Sequence, residues 1–301
     1  MNEILRHLKI AEKAWKEAKK VADLLVKLEI NLLQVAEEVE EKIEEYANIA
    51  FPINISRNNE AAHYSPKSDC KDIFREGDLV KIDIGTHSNG YIVDAAYTID
   101  LSKNKMHKDL CNASKEALNN AIKYIQKEKN NAEFGELGKI IEDTIKSYNG
   151  YKPIYNLTGH SMEQYNLHAG KSVFNHSSNN KNKLNHGIYA IEPFATNGQG
   201  LIHNGSFCSI YSYHNCVTRL PACRQIADEV KNFKLPFSER WIGNKLSETE
   251  KKMAINTLVT SGCFNTHPIL IEKQGSYVSQ HEKTVYIDED NKVHVFSDID
   301  Y

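Results

Sequence analysis

Residues 78–100 read DLVKIDIGTHSNGYIVDAAYTID, and apolar and polar residues alternate on either side of Asn89-Gly90, the pattern of a β-hairpin. An Asn-Gly pair favours a two-residue type I′ turn, because both central residues must take positive φ. That turn sets the register: Ser88 faces Tyr91, Gly85 faces Asp94 and Asp83 faces Ala96. Side chains alternate along a strand, so Asp83 and Asp94 share one face as diagonal neighbours, roughly 7–8 Å apart. Two carboxylates in the apolar contexts VKIDIG and YIVDAA are costly unless a shared proton, a basic side chain or a metal ion compensates them. Lys81 shares their face and offers a structural ion pair as the plain alternative. A bulge would change the register and undo the inference.

Around this hairpin the 301-residue chain is ordinary globular material, 41% hydrophobic and 26% charged. That excludes collagenous, low-complexity and wholly disordered classes. With 37 Lys and Arg against 40 Asp and Glu, the formal charge of -3 argues against a protein that grips nucleic acid. The length suits two domains, or one large α/β domain with an insertion. The opening MNEILRHLKIAEKAWKEAKK has no signal-type apolar core, and no run approaches a membrane span. A cytoplasmic protein is therefore expected. Six cysteines without a C-x-x-C pair read as reduced thiols, with a Cys216–Cys223 disulfide as the alternative.

Ile4, Leu8, Ala11, Trp15, Ala18, Ala22 and Leu25 recur at helical spacing and predict an amphipathic helix packed on its own domain. A second helix is expected over residues 32–46, with the glutamates of EEVEEKIEEY on a solvated face. FPINISRNNEAAHYSP, from Phe51, reads as loop or irregular extended chain. Helical spacing returns over residues 108–127 and 132–148, and residues 151–200 read as strand and loop. Residues 217–266 are helical and charged, as an inserted lobe would be, and residues 277–287 and 292–296 form a final hairpin.

Acid recurs in strand-like segments: Glu192 interrupts GIYAIEPF, and Glu282 is expected inside the strand SYVSQHEKTVYI, on one face with Gln280. Acidic residues are depleted in strands, so this recurrence is informative. NLTGHSMEQYNLHAGK adds His160 and His168 in a turn-rich region where binding residues gather. Singly, either histidine is as well explained as a satisfied structural one. Two Asp, one His and two Glu make a hard, oxygen-rich set suited to Mn, Fe(II), Co or Zn, and so many carboxylates suggest two divalent ions.

AAHYSP, LVKIDIGTHSNGYIVDAAYTIDL, NLTGHSMEQYNLHAGK, YAIEPFATNGQG, LPFSERW and GSYVSQHEKTVYI together resemble the type 2 methionine aminopeptidases, in order and over almost the whole chain. The resemblance implies an α/β "pita-bread" fold. One domain over residues 1–301 would be built from two pseudo-symmetric halves, with a type 2 helical insertion at residues 217–266, in the short archaeal-style form. It implies Asp83 as a chelating ligand of one metal, Asp94 and Glu282 as bridges, and His160 and Glu192 on the second metal. His63 and His168 become the non-ligand histidines that meet the scissile region, with Glu192 also a candidate proton shuttle. Phe51, Leu167 and His63 become walls of a methionine pocket.

The sequence departs from that pattern at His281 and Lys283, expected to point away from Glu282 and to bring tuning or surface change. It also departs at His267, placed near the substrate where the family often has tyrosine. The implied reaction is removal of the initiator methionine from nascent polypeptides by a monomeric, dimetal hydrolase, possible ribosome proximity included. Two alternatives stand: an X-Pro aminopeptidase or proline dipeptidase of the same fold, and a non-catalytic pita-bread binding protein.

Overall fold

The computed structural model describes residues 3–214 and 218–297. The chain begins with α1 (Glu3–Leu25) and α2 (Leu32–Glu44), followed by strands β1 (Asn48–Arg57), β2 (Glu60–Ala62), β3 (Leu79–Ser88) and β4 (Tyr91–Asp100). A second helix pair, α3 (Lys108–Glu128) and α4 (Phe134–Ser147), precedes β5 (Lys152–Pro153), β6 (Thr158–Met162), β7 (Ser172–Phe174), β8 (Gly187–Ile191), β9 (Phe194–Thr196) and β10 (His203–Tyr213). Then come α5 (Pro221–Val230), β11 (Phe237–Ser238), α6 (Glu248–Thr260), β12 (Phe264–Ile271), β13 (Val278–Gln280), β14 (Lys283–Ile287) and β15 (Val293–Val295).

Two halves repeat one plan. In the first, α1 and α2 pack on the sheet β1-β3-β4 around a core that includes Leu8, Trp15, Val35, Ile53, Ile82 and Val93. In the second, α3 and α4 cover the sheets β15-β14-β8-β6-β7 and β13-β9-β5 around Leu118, Leu137, Ile141, Tyr189, Ile191 and Val285. Buried hydrogen bonds fix the first helix: the Trp15 Nε1–H donates to the Ala95 carbonyl at 3.1 Å, and the Thr86 hydroxyl to that of Ala11 at 2.9 Å.

The halves meet edge to edge, and two threonines make the joint. The Thr284 hydroxyl accepts from the Asp94 N–H and donates to the Asp94 carbonyl, both at 2.8 Å. The Thr98 hydroxyl does the same for Gln280, accepting from its N–H at 2.9 Å and donating to its carbonyl at 2.7 Å. Between them the Glu282 N–H reaches the Ala96 carbonyl at 2.8 Å. Each hydroxyl satisfies both backbone groups of a buried residue, so neither strand leaves an orphaned edge there.

Five sequence expectations need correction. Residues 51–57 and 60–62 are regular strand, most of β1 and all of β2, and only the rest of the stretch, residues 63–66 above all, is the irregular chain expected; two register shifts against β3, between Ile49 and Phe51 and between Phe51 and Asn54, erase the period-two pattern that would have marked the strand. Glu282 lies not inside a strand but in the break between β13 and β14. The glutamates of α2 are not all solvated: Glu40 is buried and takes the Arg240 guanidinium on both oxygens, at 2.7 and 2.8 Å. His281 and Lys283 are buried, so their departure from the family pattern is no surface change. Cys223 is a free, buried thiol, which removes the Cys216–Cys223 pair (Cys216 itself lies outside the described residues), whereas Cys263 is disulfide-bonded rather than reduced.

Between β10 and β12, helices α5 and α6 and strand β11 enclose a separate small core of Cys223, Ile226, Phe237, Ile255, Leu258 and Phe264. Residues 264–266 of the expected lobe belong to β12, and Val217 lies outside the described residues. Among the described residues no helix is long and apolar enough to cross a membrane.

Candidate active site

The hairpin register is the one the Asn-Gly turn dictates: Ser88 pairs with Tyr91, Gly85 with Asp94 and Asp83 with Ala96, with no bulge. Asp83 and Asp94 therefore share a face. Lys81 does not pair with them; its ammonium donates to the Asn58 carbonyl at 2.9 Å and to the Leu79 carbonyl at 3.3 Å. The structural ion pair is thus not formed, and the two carboxylates are left facing the interior.

Glu192 and Glu282 arrive from the second half through matched strand breaks. Pro193 has no N–H to continue a ladder and separates β8 from β9. Gln280 pairs with Phe194 and Lys283 with Ile191, one register that sets Glu282 opposite Glu192. His160, on β6 beside β8, lies with its Nε2 3.6 Å from Asp94 Oδ2 and 3.5 Å from Glu192 Oε1. Ligand atoms of Asp94, His160 and Glu282 all lie within 4.8 Å of one another.

Burial pushes the Asp83 carboxyl up to about 7. Burial, then the neighbouring carboxylates, drive Asp94, Glu192 and Glu282 well above the ordinary carboxylate range. His160 is held down to about 3, by burial first and then by His168, so its imidazole is neutral and offers a lone pair. Asp83 Oδ1, Asp94 Oδ1 and Glu282 Oε1 are buried without a hydrogen-bond partner among the described residues. Four crowded carboxylates and a neutral imidazole with orphaned oxygens are a poor structural network and a good cation cage. The donors are hard oxygens and one imidazole nitrogen, which suits a divalent metal.

These groups line a cavity of about 260 Å³. Every site residue expected from the sequence lies on it: Asp83, Asp94, His160, Glu192 and Glu282, together with His63, His168, Phe51, Leu167 and His267. His63 takes the left-handed conformation, φ 67°, which is strained for a residue with a Cβ. It is held there by its neighbour Ala62 pairing with Leu270 and by its own Nδ1–H donating to the Pro268 carbonyl at 3.2 Å. That bond leaves Nε2 as an acceptor, and burial, reinforced by His267, lowers His63 to about 4, so the ring is neutral near pH 7. The His267 ring stands edge-on to His63, with centroids 6.2 Å apart, and its Nε2 lies 2.7 Å from the Ser212 hydroxyl. His168 is at the exposed mouth, its ring centroid 4.3 Å from that of His160.

Sequence reasoning missed Asn54, Leu157 and Pro236 among the cavity walls, and missed what Gln280 does. The Gln280 amide donates to Glu282 Oε2 at 3.2 Å. Alternation with Glu282 was its one signal. Asn54 gave none, since it lies in the stretch read as irregular.

Residues 2–219 match the model of metallopeptidase family M24. The chain belongs to that family. It is 43% identical to a methionine aminopeptidase of Methanocaldococcus jannaschii over 95% of this chain and 97% of that one. It is 40% identical to the methionine aminopeptidase of Archaeoglobus fulgidus, over 96% and 97%. Among solved structures, a thermophilic Arx1 superposes with a TM-score of 0.79 at 18% identity, covering 95% of this chain and 88% of that one. Methionine aminopeptidase from Thermotoga maritima gives 0.67 at 20% identity, covering 97% of this chain and 95% of that one. At such identities the structural likeness speaks for the fold, the pita-bread fold of M24. Membership in a metallopeptidase family implies use of divalent metal, and the donor set of the cavity fits it.

Proposed function

We propose that this M24 metallopeptidase removes the N-terminal methionine from peptides and nascent proteins, as a type 2 methionine aminopeptidase with two divalent ions held by Asp83, Asp94, His160, Glu192 and Glu282. The single observation that carries the reading is the convergence of those five donors with His63 and His168 on one cavity, in a chain 43% identical to a methionine aminopeptidase. When bound, the ions supply an activated water near neutral pH and Lewis-acid polarisation of the scissile carbonyl. Co, Mn, Fe and Zn all suit the donors.

The chain's own residues do the rest. Phe51 and Leu167 give the methionine side chain an apolar wall. His63, neutral and with Nε2 as acceptor, takes a hydrogen bond from the scissile amide N–H and aligns it. His168, at the mouth, donates to the carbonyl oxygen as charge develops there. Glu192, whose carboxyl is driven well above the ordinary carboxylate range by burial and then by Asp94 and Asp83, serves as proton shuttle to the leaving amine. His267, fixed by Ser212, sits where it meets the residues after methionine. The segment that carries α5 and α6, residues 218–263, acts as an insertion within one domain, and the reading includes a monomeric, cytoplasmic enzyme working close to the ribosome.

The test compares a Met-Gly-starting peptide with X-Pro peptides on metal-loaded protein. Methionine release from the first, with X-Pro bonds left intact, supports the proposal. Preferential X-Pro cleavage would replace it with a prolidase-type reading, and no turnover of either would favour a binding protein.

A further inference from the structure

The Asn54 amide lines the cavity, and its surroundings dictate its orientation. Its Nδ2 lies 2.8 Å from the Pro52 carbonyl. A carbonyl only accepts, so the amino half of the amide must face Pro52 and the oxygen must face away from it. Asn54 is 3% exposed, and its Oδ1 has no hydrogen-bond partner among the described residues. A buried amide oxygen left unpaired is costly, and natural structures seldom retain one without a use.

The location suggests that use. Asn54 pairs with Asp83 across β1 and β3, just after the register shift that follows Phe51. Phe51, Asn54 and Asp83 all line the cavity. An apolar wall, a neutral acceptor and a carboxylate thus lie in sequence along one side. The carboxylate's Oδ1 is likewise without a partner. A ligand that satisfies this side carries an apolar side chain and, next to it, a group rich in N–H donors. A free α-amino group on a methionine residue has that composition, whereas an internal peptide offers a single N–H that its own chain path must direct.

We propose that Asn54 Oδ1 accepts a hydrogen bond from the substrate's free α-amino group and so helps to set the exopeptidase register. This rests on the methionine aminopeptidase reading and adds to it a recognition residue for the amino terminus. Oδ1 contributes to binding and alignment rather than to bond cleavage, so its loss should appear mainly in KM.

The experiment measures binding of L-methioninol and of its des-amino analogue, 4-(methylthio)butan-1-ol, by calorimetry on Mn-loaded wild type and Asn54→Leu. Peptide kinetics and metal content are recorded in parallel. Removing a hydrogen bond to a charged or strongly polar donor in a buried site corresponds to about 10- to 100-fold. The expected result is methioninol weakened by that factor and the des-amino analogue unchanged, with KM raised, kcat within a few-fold and metal content equal. Equal weakening of both compounds, no weakening of either, or a loss of metal would overturn the proposal. If Asn54→Leu does not fold, Asn54→Ala carries the same comparison. Failure of the underlying functional reading is distinct: wild type itself would then release no methionine and would not prefer methioninol over the des-amino compound.

Discussion

The role of Glu40 depends on a pairing across 200 positions of sequence. Its two oxygens take Arg240 Nη1 and Nη2 at 2.7 and 2.8 Å, the Trp241 Nε1–H at 2.9 Å and the Ile53 N–H at 3.2 Å. The Arg240 and Glu40 side chains are 5% and 7% exposed. In Glu40→Leu the guanidinium keeps only the Pro66 carbonyl at 2.7 Å and the Ser65 hydroxyl at 3.2 Å. Breaking one side of a buried ion pair costs about 3–5 kcal/mol. An unfolding entropy of about 2.1 cal/mol/K per residue over a chain of this length converts that to a Tm drop of about 5–8 °C.

Calorimetry or circular dichroism on Glu40→Leu, Arg240→Met and the double variant measures it. The double variant, which buries no unpaired charge, should recover most of the loss. Because Pro236, just upstream of Arg240, is a cavity wall, Glu40→Leu should also raise KM more than it lowers kcat. A loss under about 1 kcal/mol, or a double variant no better than the worse single one, would refute the reasoning.

Three further outcomes follow from the site and its surroundings. Glu282→Gln should fold, lose affinity for divalent metal and lose activity by orders of magnitude, as metal analysis and methionine release would report; near-full activity would remove Glu282 from the ligand set. For His63→Ala the expectation is a large fall in kcat with metal content unchanged, because its Nδ1–H is spent on the Pro268 carbonyl and it is not one of the five proposed ligands. His281 is buried, and burial, with Lys115 and Lys283 adding to it, holds it down to about 3 against an ordinary 6.5. The unfolded chain therefore binds a proton below pH 6.5 that the folded chain refuses, so stability is full above 6.5 and falls with pH by about 1.4 kcal/mol per unit from this residue. His281→Leu should flatten urea-melt stability between pH 6.5 and 5 by about 2 kcal/mol relative to wild type; parallel curves would show that His281 does not carry the dependence.

What could be read in advance divides along physical lines. The register of β3 and β4, and with it the placing of Asp83 and Asp94 on one face, follows from turn chemistry confined to Asn89-Gly90. The helices α1, α3 and α4 follow from periodicity. Strand β1 was hidden because its bulges interrupt the alternation that periodicity relies on. The break at Glu282 was hidden for another reason: it is set by the strand opposite, where Pro193 stops the ladder, and no local pattern reports on a neighbour ninety positions away. Glu40 looked like one more solvated glutamate because its partner lies in LPFSERW, far along the chain. Family resemblance gathered residues that the sequence holds apart, and the cavity brings all of them together; Asn54, outside the quoted motifs, and Pro236, inside LPFSERW but given no role there, were visible as cavity walls only in three dimensions.

The most direct test of the central claim is methionine release from a Met-Gly-starting peptide by protein stripped with a chelator and then titrated with Mn, Fe(II), Co or Zn. Stripped protein should release none, activity should rise with bound metal and saturate near two ions per chain, and Glu282→Gln should show no such rise. Release that is undiminished by chelation, or none with any of the four metals despite their binding, would contradict it.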